Sequence, residues 1–266
     1  MCLKQGLRVG FLAFCAVLSL TSAGRAAVIT PTYDANSNYT VQQKACAQAA
    51  IDEWQSMIRD NYTFAHVQFE IGTDVGGGLA GTLVGTVPQP VSPSKKPAGP
   101  APVIDPWDPY VLIRIQLNTN YISQMGFDAN SPPDPNLYDA LTIFRHELAH
   151  GLGIDDWYAH FSAKLTTGPD PNYRTYTGSD FSVLLTGSSQ GTHMADANYP
   201  GDLMVPTLGP GVRRDISEID LRILGDAFGY TVPEPATLLL IGFGSAALLA
   251  ARRRRKGGAT GSRRAA

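Results

Sequence analysis

Apolar positions recur at spacings of three and four through Leu141, Phe144, Leu148 and Leu152, and that stripe predicts an amphipathic helix. Asn136 or Asp139 is placed to cap its start, and Gly153 to end it. A second helix is predicted over 41–59, free of Pro and Gly, with Ala45, Ala49, Trp54 and Ile58 near one face. A third starts at Ser217, with Ile219, Leu221 and Leu224 apolar and Gly229 near its end. Period-two alternation over 66–71 (His-Val-Gln-Phe-Glu-Ile) predicts a half-buried strand. The β-branched stretch 110–117 predicts another, read as an edge strand able to pair with an extended peptide. Val28, Ile29 and Thr30 begin an earlier strand.

Between these elements the pattern lapses. Residues 72–85 are glycine-rich, a hairpin or loop, and lack the Gly-Lys-Ser/Thr of a phosphate-binding loop. Residues 86–107 read as a Pro-rich exposed loop, 118–135 as loop, and 154–192 as an insertion with one short apolar run at 181–185.

The two ends are of another kind. Residues 1–27 carry Lys4 and Arg8, an apolar run over 9–20 and small residues up to Ala27, the layout of a secretory signal peptide cut within 23–27. At the other end, Val232-Pro233-Glu234-Pro235 precedes an apolar run over 236–251 and a basic cluster over 252–256. The run is close to the shortest length that spans a bilayer, and the cluster marks its cytoplasmic side. This three-part tail resembles the PEP-CTERM sorting signal over 233–256, followed by a basic tail over 257–266. The resemblance implies transient anchoring in the inner membrane and removal by an exosortase-type enzyme. It also implies an exported location: periplasm, cell surface or extracellular. A plain membrane anchor is the alternative.

Removing both ends leaves 28–232, enough for one sizeable core. That span holds 11 Lys and Arg against 22 Asp and Glu, a formal charge of −11, where the whole chain of 266 residues stands at −2. Such an acidic domain argues against a nucleic-acid partner. Cys2 and Cys15 fall in the leader, so Cys46 is alone and no internal disulfide forms. Its setting is an ordinary helix position rather than a cysteine that blocks a metal.

Candidate chemistry sits on the first helix described. His146-Glu147-x-x-His150 places two imidazoles at i and i+4 on one helix face, where both point at one Zn2+ ion. Glu147 projects beside them, able to take a proton from a zinc-bound water. The plain alternative is a helix with two structural histidines. A catalytic zinc takes three protein ligands, and the downstream candidates are Asp155, Asp156, His160 and His193.

The run His146-Glu147-x-x-His150-x-x-Gly153 resembles the metzincin metallopeptidases. Their third ligand normally follows three residues after the glycine, here Asp156, and an aspartate there resembles the snapalysin-like branch. A second resemblance competes. Gly191-Thr192-His193, followed by Met204 within Asp202-Leu203-Met204-Val205-Pro206, resembles leishmanolysin-type metzincins, where an insertion precedes the third histidine. That resemblance implies an α+β, metzincin-like fold: a mixed twisted sheet, an active-site helix, a Met-turn at Met204 beneath the metal and a C-terminal helix. It implies His193 as third zinc ligand, Glu147 as general base, and a zinc-dependent endopeptidase acting on protein or peptide substrates. None of that branch's disulfides can form here. Two other functions compete: a zinc amidase acting on cell-wall material, and a non-catalytic surface or matrix protein.

Overall fold

The computed structural model describes residues 27–73, 78–86, 105–109, 111–186 and 192–232. Their architecture is α+β with one mixed four-stranded sheet and few helices. Strands β1 (Val28–Tyr33), β2 (Thr63–Gly72), β3 (Ala80–Thr86) and β4 (Val111–Asn118) stand in the order β1-β2-β4-β3. β1, β2 and β4 run parallel, and β3 is antiparallel to β4.

β4 is therefore interior, not the edge expected for 110–117. Its side chains show why: Val111, Ile113, Ile115, Gln116, Leu117 and Asn118 are all buried, the near-continuous burial of a strand covered on both faces. Among the described residues the edges are β1 and β3, and β3 grows out of the glycine-rich stretch read as a hairpin or loop.

Helix α1 (Val41–Met57) connects β1 to β2. Thr40 and Gln43 form a reciprocal capping box at its start. Its inner face is Gln43, Cys46, Ala47, Ala50, Ile51 and Trp54; Ala45 is exposed and Ala49 half-buried, so the real stripe is rotated from the expected one. Small alanines let α1 lie close on helix α2 (Ala140–Leu152). Trp54 Nε1–H donates to the Arg145 carbonyl at 3.0 Å. The Arg145 guanidinium grips Glu53 and the Arg214 carbonyl, so a buried charge is satisfied across three segments.

Asp139 is the N-cap of α2, accepting the Thr142 N–H at 3.0 Å, and Leu141, Phe144, Leu148 and Leu152 are buried as the periodicity requires. Gly151 allows contact with the sheet: a Cβ there would lie 2.5 Å from Ile113 Cγ2. Gly153 ends the helix at φ +136°, with a Cβ position 2.3 Å from the Phe228 ring.

The span 154–192 has structure of its own. It holds a short helix α3 (Ala159–Ser162) and an antiparallel sheet of β7 (Leu165–Thr167), β8 (Tyr173–Thr177) and β9 (Ser182–Thr186). Two-residue strands β5 (Met125–Gly126) and β6 (Tyr138–Asp139) close the loop before α2. Helix α4 (Glu218–Phe228) carries a Ser217–Asp220 capping box and ends at Gly229 in the left-handed region. Its buried face is Asp220, Ile223, Leu224, Ala227 and Phe228; Ile219 and Leu221 are only half-buried.

Among the described residues no helix is long and apolar enough to cross a membrane. The expected leader, the Pro-rich stretch over 87–104 and the apolar run over 236–251 lie outside the described residues.

Candidate metal centre

Helical spacing places His146 and His150 one turn apart on the side of α2 that lines a cleft, His150 buried and His146 half-buried. His193 reaches the same point from the far side of the insertion. Thr186 N–H donates to the His193 carbonyl at 2.8 Å, Met194 N–H donates to the Met204 carbonyl at 2.8 Å, and Leu185 bridges Met194. The segment after His193 is thus held between β9 and the turn at Met204. The approach over 187–191 lies outside the described residues.

The three Nε2 atoms form a nearly equilateral triangle. His146 to His150 is 3.1 Å, His146 to His193 is 3.1 Å, and His150 to His193 is 3.3 Å. Tetrahedral ligand bonds of about 2.0–2.1 Å require nitrogen separations near 3.3 Å, so the donor set fits a divalent transition metal. The opposite ring nitrogens are engaged: His146 Nδ1 at 2.8 Å from the Leu203 carbonyl and His150 Nδ1 at 2.7 Å from the Ile154 carbonyl. A carbonyl only accepts, so each Nδ1 carries the proton and each Nε2 presents a lone pair to the common point. Burial, then the charge of His193, pushes His146 down to about 3; burial and both neighbouring imidazoles hold His150 well below the usual histidine range. Neutral imidazole is the form that ligates.

The other sequence candidates stand elsewhere. Asp156 lines the cleft but pairs with Arg174 at 3.3 Å. Asp155 caps the turn at Trp157 N–H, 2.8 Å, and burial pushes its carboxyl up to about 6. His160 is half-exposed and faces Asp105 at 3.4 Å. Cys46 is buried in α1, and burial pushes its thiol up to about 12.

Glu147 is buried beside the histidines. Its Oε2 accepts from Thr82 Oγ1 at 2.8 Å, and burial pushes its carboxyl up to about 7, with the Thr82 bond opposing. Thr82 was not singled out in the sequence; it lies on β3, and only the sheet order brings it here. The cleft has a volume of about 510 Å³, and residues 80–83 of β3, α2, His193, Leu203 and residues 205–208 line it.

Met204 is fully buried. Its N–H donates to Asp202 Oδ1 at 2.9 Å, which tightens the turn that presents the Leu203 carbonyl to His146.

A family model for the PEP-CTERM protein-sorting motif matches residues 231–255. No curated protein matches the chain.

Proposed function

We propose that the chain is an exported zinc-dependent endopeptidase. Its sorting motif implies recognition by an exosortase-type enzyme and export with a C-terminal sorting tail. The observation that carries the enzymatic reading is the Nε2 triangle with a buried, titratable carboxyl next to it in an open cleft. His146, His150 and His193 would hold the zinc, which supplies an acidified water and a Lewis acid for a carbonyl oxygen. Glu147 takes the proton of the attacking water and passes it to the departing amine, a role suited to a carboxyl that titrates near neutrality. Thr82 fixes which way that carboxylate faces. The free edge of β3 gives an extended peptide backbone hydrogen-bonding partners along the cleft. A structural zinc site closes with four ligands and needs no base, so a three-ligand site with Glu147 beside it favours catalysis over a matrix role. Metzincin resemblance in the motif and at Met204 agrees with this reading.

The test is Glu147→Gln. That variant should bind zinc as tightly as wild type and lose casein turnover by about two to four orders of magnitude. Full activity in the variant, or chelator-resistant activity in wild type, rules the proposal out. Turnover of peptidoglycan in place of casein would move the reading to an amidase.

A further inference from the structure

Two adjacent arginines follow the Met204 segment and are used very differently. Arg213 donates to Asp139 and to the carbonyls of Asp128, Ala129 and Ser131. Arg214 enters none of the ion pairs among the described residues, and its Nε is buried without a partner. Among the described residues it is the only Lys or Arg lining the cleft. Asp196 and Asp202 act on it without reaching ion-pair distance; Asp202 accepts the Met204 N–H, and Asp196 accepts from Thr207 through Oδ2 while its buried Oδ1, like Arg214 Nε, has no partner among the described residues.

Its place along the cleft is fixed. Arg214 N–H donates to Thr142 Oγ1 at 2.8 Å, and Thr142, His146 and His150 follow one another at i, i+4 and i+8 on α2. One such step is about 6 Å. Arg214 therefore stands about one helical turn from the histidines, beyond His146, and its charge is felt there. At the opposite end, beyond His150, stand Asp155 and Asp156, the second already neutralised by Arg174. The cleft is thus polar along its axis, with a guanidinium at one end that has no ion-pair partner among the described residues. A half-desolvated guanidinium without an acceptor is costly, and a carboxylate supplies two acceptors in matching geometry.

We propose that Arg214 selects the substrate by receiving an Asp or Glu side chain of the peptide at one subsite next to the metal centre. This rests on the peptidase reading above.

The experiment profiles cleavage of a mixed peptide library by the zinc-loaded protein, then compares matched peptides carrying Glu or Ala at the selected position. Wild type should show Asp and Glu enriched at a single position relative to the cut. Arg214→Gln should lower the Glu-to-Ala ratio of kcat/KM about tenfold, and Arg214→Glu should turn the preference towards Lys. Calorimetric binding of the same peptides to Glu147→Gln, with and without Arg214→Gln, reads the preference without turnover. If wild type cuts nothing but Glu147→Gln still binds the Glu peptide about tenfold more tightly through Arg214, the peptidase reading fails and the acidic-ligand site stands. An absence of acidic preference in wild type, or a profile that Arg214→Gln leaves unchanged, overturns the proposal. Arg214→Lys keeps the charge without the fork and replaces Arg214→Gln should that variant melt early.

Discussion

The ring Nδ1 of His146 lies 2.8 Å from the carbonyl oxygen of Leu203, so the residue before Met204 sets the tautomer of a histidine of the proposed metal site. That contact ties the turn at Met204 to the site by geometry, through the backbone. Anything that moves the turn moves the carbonyl and rotates the ring.

Met204 is fully buried, so Met204→Ala should cost about 2–5 kcal/mol, the usual range for emptying a core position. It should also weaken zinc binding by about 10–100-fold through the Leu203 carbonyl. Met204→Leu keeps the volume and should cost less than about 1.5 kcal/mol with little change in metal affinity. Denaturant melts and zinc competition titrations read both. Equal metal affinity in Met204→Ala and wild type would break the link between turn and ligand.

His193 and Asp156 separate in a metal titration. His193→Ala removes one of three converging donors and should weaken zinc binding by at least about 100-fold. Asp156→Ala loses a half-exposed pair with Arg174, worth about 0–1 kcal/mol of stability, and should leave zinc affinity within a few fold. The reverse ranking would make Asp156 the third ligand.

Gly153→Ala forces a side chain into φ +136° with its Cβ 2.3 Å from the Phe228 ring. Backbone strain and overpacking add, so the loss should be about 2–5 kcal/mol. A thermal melt suffices, and a loss below about 1 kcal/mol would show that α2 and α4 separate easily here.

What could be read from the chain was local. The stripe of α2, one of its two offered caps and its stop at Gly153 all depend on neighbours within a few residues. So does the capping box of α4, although Ser217 alone was singled out there. Strand order is not local: periodicity cannot tell that β4 is flanked on both sides, so the edge was placed on the wrong strand. Thr82 reaches Glu147 only because β3 pairs with β4, across 65 residues. Arg213 binds Asp139 across 74 residues, and Arg214 acquires its place the same way. The buried face of α4 was misjudged because a carboxyl, Asp220, occupies it.

That carboxyl carries the last prediction. Asp220 is 0% exposed; its Oδ2 accepts the Ser217 N–H at 2.8 Å, while Oδ1 has no donor among the described residues. Burial, and then the facing carboxylate of Asp202, raise it well above the ordinary aspartate range. The native state therefore keeps a proton that the unfolded chain gives up near pH 4. With the folded value raised, the native state binds more protons at higher pH, so this group's contribution falls as pH climbs from about 4 through the folded value. Asp220→Asn does not titrate. Its carbonyl oxygen retains the Ser217 bond, and its amide offers Asp202 a permanent donor in place of the proton. The variant should exceed wild type in stability by about 1–3 kcal/mol at pH 8, the usual cost of a buried polar atom left unsatisfied. That advantage should shrink towards pH 4, where wild type is protonated in both states. Paired denaturant melts from pH 4 to pH 8 read the difference. A constant offset across that range, or a variant less stable than wild type at pH 8, would mean that Asp220 is held as a carboxylate by a donor, not as the acid facing Asp202.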